Sequence, residues 1–291
     1  MRIGFIGAGK VGFTFGKYIT TKMVVSKPEH IQLEVSGYYS AHSESAADAA
    51  EFTETVMYNS LEELCSNSEV IFLTVPDGQI GEVWRRLKDL DIRGKIICHA
   101  SGAMTSDIFS GITEAGAFGY SIHPMYAISS TTKSYREMQK CFFTVEGAEE
   151  WGNKLCRFIR LLGNDCVLLS TENKTKYHAA AVFASNLVNG LYGSAVSLLE
   201  DCGFEEKQAE QALVPLFMGN ASHIAEDGPV TGLTGPIERN DTTTVKKHLN
   251  VLDANEKHIY ISVSGAVLAL AEQKYPDRDY SEMKKILSGQ E

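Results

Sequence analysis

A short apolar strand, Arg2–Ile6, runs directly into Gly7-Ala8-Gly9-Lys10-Val11-Gly12, and Val11–Thr20 then has the pattern of a helix. Strand, G-x-G-x-x-G, helix is a demanding order. The first glycine permits a tight turn, the second lets backbone approach a pyrophosphate, and the third allows close helix–strand packing. The helix N-terminus leaves N–H groups without intrahelical partners, and these suit phosphate oxygens. Gly7, Ala8, Gly9, Lys10, Val11 and Gly12 are therefore the candidate loop for a dinucleotide cofactor.

The chain continues in the same alternation. Strands are expected at Ile31–Tyr39, Val70–Val75, Lys95–His99, Phe118–Ile122, Phe142–Val145 and Cys166–Leu169. Helices are expected at Ala46–Phe52, Leu61–Cys65, Gln79–Lys88 and Glu149–Leu162. Val70–Val75 is apolar throughout, as a strand covered on both faces should be. Such alternation implies a doubly wound, mostly parallel α/β sheet, a Rossmann domain over residues 1–169. Beyond it the strand signals stop. Helices are expected at Tyr177–Cys202, Glu206–Ala225, Thr242–Leu252, Ala254–Tyr275 and Tyr280–Leu287, with Asp241 as an N-cap and a loop over Gly228–Asn240. Residues 170–291 read as an all-helical domain for substrate binding and dimerisation. A length of 291 residues suits about two domains.

Ligands of such sheets lie beyond the carboxyl ends of the strands. An NAD binder usually has Asp or Glu at the end of the second strand, on the ribose. Here the end reads Gly37-Tyr38-Tyr39-Ser40-Ala41-His42-Ser43, without a carboxylate. Ser40, His42 and Ser43 are candidate donors to a 2′-phosphate, so the expected cofactor is NADP. NAD stays open through Glu34, which is nearer the usual count from Gly12. Val75, Pro76 and Asp77 after the next strand, and Ser101 after the one following, border the same edge. Each is also readable as plain strand termination by turn formers.

Gly4–Gly12 together with Thr74-Val75-Pro76-Asp77 resembles the superfamily of pyrroline-5-carboxylate reductase, hydroxyisobutyrate dehydrogenase and prephenate dehydrogenase. Tyr177-His178-Ala179-Ala180-Ala181, Ala184-Ser185-Asn186, Leu233-Thr234-Gly235-Pro236-Ile237, Asp241 and His248-Leu249 narrow the likeness. They resemble the Rossmann-like proteins with a helical domain of unknown function, the 2520 type, over nearly the whole chain. The resemblance implies a nicotinamide cofactor and an often dimeric assembly, and leaves the substrate unnamed. It also implies Arg-Gly-Asp where this chain has Arg239-Asn240-Asp241. Asn tolerates the left-handed conformation that Gly favours, so the turn should survive.

Hydride transfer needs a proton donor near the developing charge. His123, at the end of its strand before Pro124, is the first candidate. Prephenate dehydrogenases carry a similar His-Pro segment whose His pairs with an upstream Ser, and here Ser101 ends the adjoining strand. The competing reading is a histidine that caps a strand. On one continuous helix at about 100° per residue, Ser185 and Asn189 fall about 20° to either side of His178, and Lys174 about 40° away. The candidates on that stripe are His178 and Asn186 for catalysis and Ser185 and Asn189 for substrate; the alternative is packing against neighbouring helices. In the related hydroxyacid dehydrogenases a catalytic Lys stands four residues before Asn; here that position is Val182, and Lys174, Lys176 or His178 would have to substitute. Arg239 is a candidate for a substrate carboxylate, or a solvent-facing residue beside a turn.

A net charge of −10, with no basic run longer than a pair, argues against nucleic acid or an acidic membrane as partner. Apolar runs such as Ile259–Leu270 are short for a bilayer span, and no signal peptide is expected. Six cysteines without C-x-x-C spacing point to reduced, mostly buried thiols in a cytoplasmic protein with no metal site. The expected function is an NADP-dependent oxidoreductase acting on a small carbonyl, hydroxy or imine compound bound between the domains, as a homodimer. A non-catalytic NADP-binding sensor or scaffold and a prephenate-dehydrogenase-like enzyme are the alternatives.

Overall fold

The computed structural model describes residues 1–25 and 33–289. Compactness divides the chain into two units, Met1–Ser185 and Asn186–Glu291. The division falls after the first helix that follows the sheet.

The first unit opens with β1 (Arg2–Ile6), α1 (Lys10–Val25), β2 (Glu34–Tyr39), α2 (Ser43–Thr53) and β3 (Val56–Met57). It continues with α3 (Leu61–Asn67), β4 (Val70–Leu73), α4 (Asp77–Leu87), β5 (Ile96–His99) and β6 (Phe118–Met125). Then come β7 (Phe142–Gly147), α5 (Glu149–Leu161), β8 (Cys166–Leu168) and α6 (Lys174–Ala184). The eight strands order as β3-β2-β1-β4-β5-β6-β7-β8. All neighbours are parallel except β6 and β7, which are antiparallel. Of the expected second strand, Ile31 and Gln32 lie outside the described residues. The two-residue β3 is too short to leave a periodic signal.

Alternation builds the two faces. Ile3, Phe5, Val70, Phe72, Ile96 and Cys98 point to the layer under α1, α2 and α5. Ile6, Ile71, Leu73 and Ile97 point to the opposite layer with Leu64 of α3 and Trp84 of α4. Successive side chains on a strand take opposite faces, so a strand covered on both sides is apolar at every position. Each such side chain contributes roughly 1.5–3 kcal/mol when fully buried.

β6 runs through His123 and Pro124 instead of ending there. Pairing with β5 stops at His99↔Ser121, while pairing with β7 continues to Met125↔Phe142. Past Ser121 the strand is paired on one side only, where a residue without an N–H is tolerated.

The second unit holds α7 (Asn186–Asp201), α8 (Glu206–Thr231), α9 (Thr242–Val251), α10 (Ala254–Lys274) and α11 (Ser281–Ser288). Ile237, Val245, Leu268, Ala271, Tyr280, Met283 and Ile286 form its core. α8 continues past Ala225 and breaks its geometry at Gly228 (φ 79°, ψ 167°), just before Pro229. Asp241 caps α9 as expected, accepting from the Thr244 N–H at 3.0 Å. Asn240 takes the left-handed conformation (φ 60°) that the turn demands.

The long helix expected over Tyr177–Cys202 is two helices. Ser185 sits between them at φ −128°, ψ −79°, and its hydroxyl donates to the Ala181 carbonyl at 2.7 Å. A short polar side chain that bonds its own backbone competes with helix continuation. Thr171–Asp201 is apolar and long enough by composition to cross a membrane. The break leaves pieces of 11 and 16 residues, each short of the roughly 20 a single spanning helix needs.

Candidate active site

Gly7 takes φ 97°, its N–H donates to the Tyr39 carbonyl at 2.8 Å, and its carbonyl accepts from Thr74 Oγ1 at 2.7 Å. A Cβ there would lie 2.8 Å from Val75 Cγ1 and 2.9 Å from the Thr74 carbonyl carbon. At Gly12 a Cβ would lie 2.6 Å from the Gly7 oxygen. Both glycines are required by the chain's own packing. Gly9 differs: the nearest atom to its Cβ position is 4.0 Å away, on Thr74, and its φ is not positive. Lys10, Val11 and Gly12 form the first turn of α1, directly after the loop.

At the end of β2, Ser40 Oγ accepts from the His42 N–H at 3.3 Å, and His42 is the N-cap residue of α2 without a side-chain capping bond. Ser43 opens α2, and His42 and Ser43 are exposed. Glu34 pairs in register with Arg2. It therefore stands at the far end of β2, opposite the glycine loop, and is removed as a ribose ligand.

From the loop a continuous row follows the carboxyl edge of the sheet. Val75 abuts Gly7. Pro76 is the N-cap residue of α4, and Asp77 opens that helix. Asp77 Oδ2 accepts from Ser101 Oγ at 2.6 Å. Ser101 Oγ also accepts from the Ala103 and Met104 N–H groups, at 3.2 and 3.1 Å. The Ser101 carbonyl accepts from Ser121 Oγ at 3.0 Å, and Ser121 Oγ accepts from Lys174 Nζ at 2.6 Å. Lys174 is 0% exposed. Burial draws its amine down to about 8, opposed by the Glu146 and Asp77 carboxylates.

β5 and β6 are neighbours, as the pairing of Ser101 with His123 required, but the two side chains take other partners. His123 Nδ1 meets the Tyr177 hydroxyl at 2.7 Å. Burial, then the Lys174 and His178 charges, lower the His123 ring to about 4. It is neutral at physiological pH. Burial raises the Tyr177 phenol, so it stays protonated.

Gly102 lies between the rings. A Cβ on it would be 2.8 Å from His123 Nε2 and 2.8 Å from His178 Nδ1. Two nitrogens each 2.8 Å from one point are no more than 5.6 Å apart. His178 Nδ1 is buried without a hydrogen-bond partner among the described residues.

The stripe drawn on one continuous helix does not extend beyond Ser185. Ser185 is exposed in the break, and Asn186 and Asn189 are exposed residues of the helical unit. Arg239 is exposed in the turn before α9. The residues that complete the first unit's site are Lys174, Tyr177, Ser121 and Gly102. Lys174, Tyr177 and His178 stand at i, i+3 and i+4, one helical face. That signal is present in the sequence once the helix starts at Lys174 instead of Tyr177. Ser121, inside an apolar strand, gives none.

A doubly wound nucleotide-binding type of sheet followed by a helical unit is the class this architecture defines. Residues 1–124 match the Rossmann-like domain and residues 141–267 match the domain of unknown function DUF2520, so the chain carries these two in succession. The second match begins inside the sheet unit, taking in β7, α5, β8 and α6. No curated protein matches the chain. Among solved structures, a Thermotoga maritima protein superposes with TM-score 0.72 at 23% identity, covering 94% of this chain and 99% of that one. A Bacteroides fragilis protein described as an NADP oxidoreductase gives 0.67 at 22%, covering 92% and 98%. Plasmodium falciparum pyrroline carboxylate reductase, solved with NADP bound, gives 0.59 at 14%, covering 94% and 97%.

Proposed function

We propose that this protein is an NADP-dependent oxidoreductase that interconverts a small carbonyl or imine compound with its reduced form. Gly9 carries the reading. Among the described residues nothing comes closer than 4.0 Å to its missing side chain, yet glycine there is what close approach of a pyrophosphate requires. Gly7–Gly12 and the start of α1 would hold the phosphates, and Ser40, His42 and Ser43 the 2′-phosphate. The absence of a carboxylate at this end of β2 favours NADP over NAD. The fold relatives described as an NADP oxidoreductase and solved with NADP support it.

When bound, the nicotinamide supplies or accepts a hydride. The chain's part is to place the substrate and manage a proton. The substrate's oxygen or nitrogen would be met beside Gly102, where the two imidazole nitrogens lie no more than 5.6 Å apart. With the Tyr177 phenol as donor to His123 Nδ1, the ring proton would lie on Nε2, the nitrogen beside Gly102. Neutral His123 then orients and polarises the substrate by hydrogen bonding. His178, whose Nδ1 has no hydrogen-bond partner among the described residues, is the ring that exchanges a proton there. Lys174 acts behind them as a positioning residue through Ser121 and the Ser101 carbonyl.

Titration with NADPH and NADH, followed by nicotinamide fluorescence, tests the cofactor. Tight binding of NADPH alone is expected. Binding of neither ends the oxidoreductase reading, and binding without turnover of any carbonyl or imine compound leaves a nucleotide sensor. The helical unit is proposed as a homodimer surface, argued below from α7 and α8.

A further inference from the structure

Cys156 and Cys166 meet inside the sheet unit. Cys156 lies on α5 and Cys166 opens β8, and they are only 2% and 5% exposed. Cys166 Sγ donates to Cys156 Sγ at 2.9 Å. That is closer than the about 3.5–4.0 Å of ordinary non-bonded carbon contact, and less than an ångström beyond a disulfide bond of roughly 2.0 Å. Arg160, one turn along α5, donates Nη2 to the Cys166 carbonyl at 2.5 Å and ties the two elements beside the sulfurs. β8 is an edge strand, and Val167 and Leu168 beside Cys166 are exposed. The hydrogen bond from Cys166 and the Arg160 charge draw the Cys156 thiol down against burial, while the same bond and burial push Cys166 up. The pair is polarised, with Cys156 the nucleophile and Cys166 the proton holder.

We propose that Cys156 and Cys166 are a reversible dithiol that a hydroperoxide closes to a disulfide. The Cys156 thiolate attacks one oxygen of hydrogen peroxide. The O–O bond breaks, hydroxide leaves and takes a proton to become water, and Cys156 becomes a sulfenic acid. Cys166 then attacks that sulfur. The S–S bond forms, the S–O bond breaks, and the hydroxyl departs with the Cys166 proton as a second water. Two electrons pass from the thiols to the peroxide. Peroxide suits the site because it is small enough for a nearly closed one. The bond at Cys166 would fasten edge strand β8 to α5, eight residues of chain before Lys174, which opens the helix that also carries Tyr177 and His178. This inference does not depend on nucleotide binding.

The test uses the full chain carrying Cys202→Ser, which removes the exposed thiol. After peroxide, intact mass is expected to fall by two hydrogens and to return with dithiothreitol. Peptide mapping should join Cys156 to Cys166, and the melting temperature should rise by roughly 5–10 °C. Cys166→Ser should instead hold one added oxygen on Cys156 that dimedone labels, and Cys156→Ser should lose the response. The parent chain is the positive control. If peroxide that oxidises its Cys202 leaves Cys156 and Cys166 fully alkylatable after unfolding, the proposal is overturned. A disulfide mapped to any other pair overturns it as well, and this reading does not need the variants to fold.

Discussion

A methyl group at residue 102 would fill the space that His123 Nε2 and His178 Nδ1 share. Its backbone is not left-handed, and both crowded atoms belong to imidazole side chains rather than to backbone, so the contact is relieved by a shift of the rings. Gly102→Ala should therefore fold and bind NADPH as the parent does, while turnover falls by at least about tenfold, the scale of losing one positioned proton-transfer or polarising contact. Unchanged turnover would remove the histidine pair from the chemistry. Lys174→Met tests the residue behind it. Burial is the largest cause of the depressed His123 ring and Lys174 the second. Removing the cation should move the His123 titration up from about 4 but leave it short of the ordinary 6.5, read by NMR of the ring protons. No movement would mean that Lys174 is not acting on that ring. The sign for stability follows. With the folded ring at about 4 and the unfolded ring near 6.5, the unfolded chain binds the extra proton between those values. Stability is lost as pH falls from 6.5 toward 4, by at most about 1.4 kcal/mol per pH unit. His123→Gln should flatten that slope in denaturant titrations.

The first strand, loop and helix divide the work of three glycines, and the division is testable. Gly7→Ala forces a left-handed residue with Cβ against Val75 and the backbone of Thr74. It should cost about 1–3 kcal/mol or more in unfolding free energy. Gly9→Ala meets no described atom closer than 4.0 Å, so stability should hold within about 0.5 kcal/mol while NADPH affinity drops at least tenfold. If both variants lose stability alike, Gly9 is architecture and the cofactor reading loses its main support. This loop was legible in the sequence because its rule is local: strand, glycines at fixed offsets, helix. The parallel strands were legible for the same reason, since burial on both faces leaves an unbroken apolar run. The site was half legible. His123, Ser101 and His178 stand at positions that strand order and helical spacing indicate, whereas the partners they take are set by tertiary contacts. Ser101 turns to Asp77 at the start of α4, and His123 to Tyr177 on α6, contacts between elements that no periodicity encodes. The break at Ser185 escaped for a related reason. Ala, Val and Leu on both sides read as one helix, and only the backbone at Ser185 leaves helical geometry (φ −128°, ψ −79°).

Across the whole chain, apolar surface is distributed unevenly. Buried side chains of α10, among them Leu268 and Ala271, belong to the helical unit's own core, so its apolar face is partly spent there. α7 has no buried residue, and α8 has one, Ala209. Leu187 and Leu191 on α7, with Val214, Leu216, Phe217, Met218 and Ile224 on α8, are exposed, Leu216 at 71% and Met218 at 58%. A run of this kind on adjacent helices exceeds the scattered apolar residues normal for a monomer's surface, and marks an interface. α7 carries no Lys or Arg, and α8 carries none after Lys207 in its first turn. A second copy presenting the same two helices would therefore bring apolar side chains together without burying opposed cations, in a two-fold contact that uses one patch on both copies. Light scattering should give about twice the 31.9 kDa chain mass. Leu216→Glu with Met218→Glu should shift that mass to the single chain while circular dichroism stays helical, since both side chains are exposed and neither supports the unit's core. A parent protein that is already monomeric at high concentration would assign these helices to another partner.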